Sequence, residues 1–304
     1  MREILITGSE GLIGRALTSS LERRGYAVRR CDLRAPPGSP ARIDVLDSSA
    51  REAAVRGCAG VVHLAAVSRV IWAERDPHLC WRTNTEGTRA LVETALAARG
   101  RPWILFASSR EVYGEAPSLP VNEGAPLTPV NVYGRSKVAG EEAILGARQA
   151  GLSTAVVRLS NVYGATDDHP DRVVPAFARA AASGAEMRVD GRDHVFDFTH
   201  LGDTILGIST VIDALEAGEA ALPPIQLVTG TPTTLGALAE LANAAGGERS
   251  RIVTAPSRDY DVSRFYGDPS LAHRLLGWRA EISIEDGVRR LVSDFKTLLA
   301  REIT

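Results

Sequence analysis

The feature that most constrains the fold is an alternation of short apolar runs with longer amphipathic stretches over about the first 160 residues. The apolar runs are brief and mostly β-branched, which predicts buried strands at residues 4–6, 27–31, 61–65, 103–107 and 154–159. The amphipathic stretches between them predict helices at residues 12–24, 48–56, 81–99 and 132–150. This alternation predicts an α/β fold, a doubly wound parallel sheet with helices on both faces.

From about residue 166 the alternation breaks down. The pattern there predicts helices at residues 173–183, 201–216, 233–245 and 284–301, with short strands at 186–190 and 225–228. We therefore expect a smaller unit in the last third of the chain, interleaved with the sheet.

Composition excludes several functional classes. The 304 residues carry 35 basic and 37 acidic side chains, a balance that argues against nucleic acid as a partner. The three cysteines are too few and too scattered for a disulfide framework or a zinc site. No apolar run is long enough for a membrane span, and the chain enters its first strand without room for a signal peptide, so we expect a cytoplasmic protein without a membrane partner.

A glycine-rich loop follows the first predicted strand and opens the first predicted helix. Gly8, Gly11 and Gly14 stand three residues apart, with Leu12 and Ile13 between the last two. In this context glycines let the backbone approach a pyrophosphate, whose charge the helix N-terminus holds. Asp32 ends the second strand, where a carboxylate accepts hydrogen bonds from a ribose diol and favours NAD over NADP. Three nearby arginines leave NADP open, namely Arg29, Arg30 and Arg34.

A second group of residues predicts proton chemistry. Tyr133 and Lys137 are four positions apart at the start of a predicted helix and so share one of its faces. A phenol is a poor base at neutral pH, but a neighbouring cation and a positively charged nicotinamide lower its pKa. Ser109, at the end of the fourth predicted strand, is placed to hold a substrate hydroxyl in line with Tyr133. These residues predict a catalytic set.

With these motifs the chain resembles the extended short-chain dehydrogenase/reductases, in particular the NAD-dependent epimerase/dehydratase branch that acts on nucleotide sugars. The resemblance extends over essentially the whole chain. Beyond the motifs above it is carried by residues 44–45, 62–66, 84–88, 158–164, 197–203 and 268–278.

The resemblance implies an architecture and an assembly. It implies a seven-stranded Rossmann domain that binds NAD over residues 1–165, also receiving roughly residues 197–228. Residues 166–196 and 229–304 would form a smaller C-terminal α/β domain that binds the substrate. The partners it implies are a nucleotide sugar and a second copy of the chain, in a homodimer made by helix packing.

The resemblance also assigns roles to residues. It makes Ser109, Tyr133 and Lys137 the catalytic set, with Tyr133 and Lys137 also touching NAD. Further cofactor contacts would come from Asp44 and Val45 on the adenine side, and from Leu64, Ala65, Ala66 and Asn84. The substrate contacts would come from Ser68, Arg69, Ser109, Arg110, Asn161, Arg192 and Arg258.

One position departs from the family pattern. The family usually has an arginine that contacts the diphosphate just before an Asp-Phe pair, and this chain has Phe196 there. An aromatic side chain cannot neutralise a phosphate. Arg258 could serve alone, or Arg188 or Arg192 could replace the missing arginine, because guanidinium groups suit bidentate phosphate contacts.

The residues around the predicted site favour one reaction over its alternatives. Glu111 occupies the position of a glutamate used by dehydratases and decarboxylases, but the residue before it is Arg110, which cannot act as an acid. Arg110 or Arg69 could instead hold a substrate carboxylate. We expect NAD-dependent epimerisation at sugar carbon 4, with dehydration or decarboxylation through Glu111, or reduction of a keto-sugar by NAD(P)H, as alternatives. The alternative outside enzymes is a dinucleotide-sensing protein.

Other polar residues predict nothing catalytic. The polar loop at 166–171 could be taken for a set of metal ligands, but we expect it to cap the following helix and no metal to bind. His63 follows an apolar strand and is expected in the core or bonded to backbone, and the cysteines are expected to be buried and unreactive.

Overall fold

The computed structural model describes residues 2–256 and 262–302. The strands are β1 Glu3–Thr7, β2 Ala27–Cys31, β3 Gly60–His63, β4 Trp103–Ser109, β5 Thr154–Leu159, β6 Asn161–Tyr163, β7 Met187–Asp190, β8 Val195–Phe196, β9 Phe198–His200, β10 Ile225–Leu227, β11 Thr233–Thr234 and β12 Ile252–Ala255. The α-helices are α1 Leu12–Arg23, α2 Ser48–Val55, α3 Val70–Arg75, α4 Pro77–Trp81, α5 Gly87–Ala97, α6 Val132–Gly146, α7 Val173–Ser183, α8 Leu201–Glu216, α9 Leu235–Gly246, α10 Ser270–Leu276 and α11 Ile284–Glu302.

The main sheet has the strand order β10-β5-β4-β3-β1-β2, and every neighbouring pair is parallel. This confirms the predicted doubly wound α/β fold. The resemblance implied seven strands, whereas the sheet has six within the described residues. β2 and β3 pair with opposite sides of β1, so the chain reverses its winding direction there. In such sheets the crevice that binds ligands opens at the carboxyl ends of the strands at this point.

Helices cover both faces of the sheet, as the apolar strand sequences predict. Along β1, Ile4 and Ile6 pack in one buried cluster with Leu17 of α1 and with α8, while Leu5 faces a second cluster with α2, α5 and α6. All three strand residues are almost fully buried because successive side chains of a strand point to opposite faces. The sheet is therefore a middle layer between two helical layers.

A separate apolar cluster joins α7, α9, α11 and the strands β7 and β8. Two-stranded sheets support this part of the chain, with β7 paired to β12 and β8 paired to β11. Residues Ile225–Leu227 form β10 at the edge of the main sheet. Helix α10 packs there against the cluster that contains Ile4 and Ile6. The division into 1–165 with 197–228, and 166–196 with 229–304, stays a prediction.

The prediction of one helix over residues 81–99 was wrong in its first part. A helix begins at Pro77, where Asp76 caps it by accepting a hydrogen bond from the amide of Leu79 at 2.9 Å. A π-helical turn then follows over Arg82–Glu86 before α5. Proline is favoured in the first turn of a helix because its missing N–H has no partner there anyway. Within the described chain, no helix combines the length and apolar character required to cross a bilayer.

Candidate active site

The glycine-rich loop lies where β1 ends and α1 begins. Gly8 has φ +74°, and its amide donates to the carbonyl of Cys31 at 2.7 Å, which ties the loop to β2. A Cβ on Gly14 would lie 2.1 Å from the Gly8 carbonyl oxygen, so only glycine fits there. Gly11 precedes α1 without a side-chain cap, which leaves the first helical amides for a ligand. These features fit a dinucleotide pyrophosphate.

A cavity of about 360 Å³ runs from this loop to the carboxyl ends of β4 and β5. It brings together many of the residues predicted from the sequence: Gly8, Gly11, Leu12, Ile13, Gly14, Leu64, Ala66, Ser68, Arg69, Ser109, Arg110, Glu111, Tyr133, Lys137 and Asn161. The predicted cofactor residues and the predicted proton-transfer residues therefore line one continuous space.

Asp32 lies beside the glycine loop but outside the cavity wall. Its carboxylate accepts hydrogen bonds from the amide of Glu10 at 2.9 Å and from the amide of Arg34 at 2.8 Å. It is 7% exposed. Asp32 thus holds the shape of the loop, and its contact with a ribose stays a prediction.

Other predicted cofactor residues have structural contacts of their own. The Asp44 carboxylate accepts from the Leu46 amide at 2.9 Å, and Val45 is buried. Asn84, in the π-helical turn, bonds both backbone groups of Val67, at 2.8 and 3.1 Å. These three residues and Ala65 do not line the cavity as the structure describes it. Asn84 fixes the position of the segment that follows β3.

Ser109 and Tyr133 meet at the other end of the cavity. The Asn131 side chain caps α6 by accepting from the Gly134 amide at 2.8 Å, which starts the helix at the right point. The Ser109 hydroxyl accepts from the Glu111 amide at 3.2 Å and lies near enough to the Tyr133 phenol to lower the pKa of that group. The two side chains therefore line the same end of the cavity, and their catalytic roles stay predictions.

The expected lowering of the Tyr133 pKa is not what the protein's own groups produce. Burial raises the pKa of Tyr133 to about 12, and the neighbouring Ser109 hydroxyl only partly opposes this effect. Lys137 is also buried, which lowers its pKa to about 8. Its Nζ donates to the Ala107 carbonyl at 2.8 Å and lies 5.8 Å from the centre of the Tyr133 ring. A phenolate at this site requires a further positive charge nearby.

Glu111 is buried and has a partner for each carboxylate oxygen. Oε2 accepts from Asn131 Nδ2 at 2.7 Å, and Oε1 pairs with Arg110 Nη2 at 2.8 Å. The Arg110 guanidinium lies 4.7 Å from the ring centre of Phe196 and 5.7 Å from that of Phe265. Thus Arg110 stacks on Phe196, the residue that departs from the family pattern.

Beside the cavity, one ion pair joins the two parts of the chain and a second lies within the later part. Arg69 Nη1 pairs with Asp171 Oδ1 at 2.5 Å, and Arg172 pairs with Asp168 at 3.5 Å. Burial raises the pKa of Asp168, against the opposing charge of Arg172. The loop at 166–171 is therefore tied to the segment after β3, a contact that no motif in the sequence indicated.

The other arginines proposed to replace the missing one are elsewhere. Arg192 pairs with Glu240 and does not line the cavity in the described residues, and Arg188 pairs with Asp190 at 2.7 Å. Arg258 lies outside the described residues. Asn161 lines the cavity, and its side-chain amide donates to the Asp197 carbonyl at 3.4 Å.

Some cavity residues were not predicted from the sequence. His194 and Asp190 line the cavity near Phe196, and Arg172 lines it as well. Asp190 ends β7, His194 directly precedes β8 and Arg172 directly precedes α7, and no spacing or motif marked any of them. Only their sequence proximity to Phe196 could have drawn attention to the first two.

The remaining candidate groups are structural. His63 is buried and bonds Thr7 Oγ1 at 2.7 Å and Thr88 Oγ1 at 3.0 Å, with its pKa lowered to about 3 by burial. Its partners are hydroxyl groups rather than backbone. The three cysteines are buried, and burial raises the pKa of each thiol. The described residues contain no cluster of metal-ligating side chains.

A family model described as the NAD dependent epimerase/dehydratase family matches residues 4–222. The chain belongs to that family. The protein is therefore an enzyme with NAD as its cofactor, and the glycine loop and cavity described above fit that cofactor.

Relatives of known name include both reaction types. The chain is 28% identical to a putative UDP-glucose 4-epimerase of Methanocaldococcus jannaschii, over 96% of this chain and 98% of the relative. It is also 28% identical to a dTDP-glucose 4,6-dehydratase of an Actinoplanes species, over 97% and 98% of the two chains. Overall identity therefore does not separate epimerase from dehydratase.

Solved structures agree with the fold along the whole chain. The UDP-glucose 4-epimerase of Thermotoga maritima, crystallised with UDP-glucose, superimposes with a TM-score of 0.88 at 26% identity, covering 98% of this chain and 99% of that one. The UDP-glucose 4-epimerase of Thermus thermophilus, in complex with NAD, gives 0.85 at 27% identity, covering 97% and 99%.

Proposed function

We propose that this enzyme is a nucleotide-sugar 4-epimerase. The observation that carries the proposal is that Ser109 and Tyr133 line one end of a cavity whose other end is the glycine loop. A single proton-transfer group opposite a dinucleotide site is sufficient for an oxidation that is later reversed. The finer roles below are part of the same proposal.

Tyr133 would act as the base that takes the proton of the sugar hydroxyl at carbon 4. The glycine loop and Lys137 would hold NAD, which would supply a reversible hydride acceptor for that carbon and so allow the hydride to return to the opposite face of the keto-sugar. Ser109 would position the hydroxyl, because it lines the cavity together with Tyr133 and lies at the end of β4. Tyr133 would return the proton when the hydride is returned, so the protein shows no net change after each turnover.

Lys137 would support Tyr133 through its charge and hold the nicotinamide ribose. It is anchored by the Ala107 carbonyl at 2.8 Å, which fixes its ammonium group beside α6. Because burial raises the pKa of Tyr133 to about 12, the protein alone keeps the phenol protonated at neutral pH. The positive charge of the oxidised cofactor would then favour the phenolate when the reaction is to begin.

The setting of Glu111 favours epimerisation over dehydration. An elimination that uses this carboxylate requires it to exchange a proton with the sugar, but both of its oxygens are bonded, one to Asn131 and one to Arg110. Dehydration through Glu111 remains the second candidate, since the carboxylate lines the cavity and a dehydratase is among the relatives.

The test is to incubate the purified protein with a panel of nucleotide sugars without added cofactor and follow the products by NMR. Inversion at carbon 4 supports the proposal. Loss of water or of carbon dioxide would establish the second candidate or a decarboxylase instead. Turnover that requires added NAD(P)H would indicate a reductase, and binding without turnover would indicate a dinucleotide sensor.

The Tyr133→Phe variant tests the assigned base. Removing the phenolic oxygen should lower kcat about 10²–10⁴-fold, the usual contribution of general acid–base catalysis, and leave NAD binding within a few-fold of the native value. The matched control is Tyr266→Phe, an aromatic substitution outside the cavity wall. Full activity of Tyr133→Phe would refute the mechanism.

A further inference from the structure

Arg110 is the cavity cation with an unused donor. Its Nη2 pairs with Glu111 at 2.8 Å, but its Nη1 is buried and has no hydrogen-bond partner among residues 2–256 and 262–302. A buried N–H without a partner is unfavourable, and guanidinium groups are rarely left in that state. The side chain lines the cavity, so a ligand there can supply the missing acceptor.

The other cations along the cavity already have partners. Lys137 donates to a backbone carbonyl at 2.8 Å, Arg69 pairs with Asp171 at 2.5 Å and Arg172 with Asp168 at 3.5 Å. Arg110 is held differently, because its guanidinium lies against the rings of Phe196 and Phe265. Stacking of this kind fixes the plane of the group and leaves its edge available for hydrogen bonds.

The position of Arg110 places this donor near the reacting sugar rather than only along a phosphate chain. It directly follows Ser109, and consecutive Cα atoms are about 3.8 Å apart. Around that point the positive charges of Arg110 and Lys137 face the single negative charge of Glu111, because the nearby Glu141 is neutralised by Arg158 at 2.7 Å. Around Ser109 the described side chains therefore carry one positive charge in excess, with Arg110 paired to Glu111 and Lys137 bonded only to a backbone carbonyl.

We propose that the sugar of the substrate carries a carboxylate and that Arg110 is the residue that selects it. The substrate class would then be a nucleotide-linked uronic acid. A carboxylate is planar and carries one negative charge, which matches the edge of a guanidinium and the charge left over at this end of the cavity. The proposal rests on the assignment of this cavity as the site of a nucleotide-sugar 4-epimerase.

The same arrangement explains why a phenylalanine occupies position 196. An arginine at that position would place a second guanidinium where the Arg110 side chain now stacks, and the two like charges would repel each other. The aromatic ring instead supports Arg110 at 4.7 Å. The arginine that the family usually has at position 196 is thus replaced by Arg110 as the cation of this region, which places the positive charge closer to Ser109.

The test uses titration calorimetry at constant salt to compare binding of UDP-glucuronate and UDP-glucose to the NAD-loaded enzyme. The same comparison is made with the uronate and the neutral sugar linked to thymidine diphosphate. We expect the native enzyme to bind the uronate at least 10-fold more tightly than the neutral sugar. Arg110→Met, which keeps length and apolar packing, should weaken uronate binding at least 10-fold and change neutral-sugar binding less than 3-fold.

Two further variants and one control separate recognition of the uronate from support of the fold. Arg110→Met combined with Glu111→Gln removes both charges, so no buried carboxylate is left unpaired, and it should still lose the uronate preference. Arg110→Lys should restore part of the preference, since it keeps the charge without the planar donor pair. Arg274→Gln removes an exposed arginine outside the cavity wall and should change neither affinity.

Each result decides the proposal. Equal weakening of charged and neutral sugars by Arg110→Met would show a contact to the diphosphate or a structural role, and would overturn it. Native enzyme with no uronate preference would overturn it too, even if neutral sugars are inverted at carbon 4. Uronate-selective binding that depends on Arg110, but without inversion, would support this selection while refuting the proposed reaction.

Discussion

A buried ion pair fixes α6 to the main sheet, and Glu141→Gln should break it. Glu141 of α6 binds Arg158 of β5 through two contacts of 2.9 and 2.7 Å, and both side chains are less than 5% exposed. Glu141 also accepts from Ser108, the neighbour of Ser109, and Arg158 donates to the Tyr113 hydroxyl at 2.9 Å. Glutamine keeps the shape and removes the charge.

The expected loss in the free energy of unfolding follows from the burial of the ion pair. Removing one partner of a buried ion pair costs about 3–5 kcal/mol because the remaining charge is left uncompensated in a poorly solvated site. Glutamine can still accept one hydrogen bond from Arg158, so we expect the lower end, about 3 kcal/mol. With an unfolding entropy of about 2.1 cal/mol/K per residue, this lowers the melting temperature by about 5 °C for a chain of 304 residues.

Denaturant and thermal unfolding of the NAD-free protein measure this loss. The control is Glu142→Gln, the same substitution one position further along α6 at an exposed side chain, which should change stability by no more than about 0.5 kcal/mol. The double variant Glu141→Leu with Arg158→Met leaves no buried charge and should recover most of the loss. If Glu141→Gln loses less than about 1 kcal/mol, well below the usual cost of an unpaired buried charge, the pair does not hold the helix as argued.

Gly14→Ala should weaken NAD binding at least 10-fold, because its Cβ would lie 2.1 Å from the Gly8 carbonyl oxygen and force the loop apart. The control is Gly146→Ala, since Gly146 has open space around it. Equal NAD affinity of the two variants in calorimetry would contradict the argument. His63 has a folded pKa of about 3 against 6.5 in the unfolded chain, so the unfolded state binds the extra proton between those values and stability falls as the pH falls. Between pH 7 and pH 5 this group should lower the free energy of unfolding by about 2 kcal/mol. In urea unfolding, His63→Gln should therefore lose less stability over this pH range than the native protein does. Equal losses for the two proteins would refute the assignment.

Local sequence patterns predicted the main elements of the fold and the ends of the cavity. The β1 strand, the glycine loop and the face shared by Tyr133 and Lys137 depend on residues close together in the chain. Glycine spacing and helical spacing are short-range geometry, so they can be read without tertiary contacts. The helix predicted over 81–99 was misplaced, since a π-helical turn depends on the Asn84 contact with Val67 rather than on local pattern.

The charge state of the site could not be predicted in this way. The sequence indicated a lysine that lowers the Tyr133 pKa, but burial by surrounding elements raises it to about 12. The sequence likewise placed Glu111 at the position of a glutamate used by dehydratases and decarboxylases, without indicating its partners. Its pairing with Arg110 and with Asn131 of α6 depends on how β4 and α6 pack, and adjacency along the chain did not reveal it.

The sequence alone therefore determined which backbone could bind a dinucleotide and which side chains could exchange a proton, because these depend on residue type and local spacing. The tertiary structure decided which charges are paired, which are buried and which donor is left over. Arg110 shows the difference, since its stacking on Phe196 joins positions 86 residues apart in the sequence. Electrostatic energy depends on distance and solvation, and only the folded chain sets both.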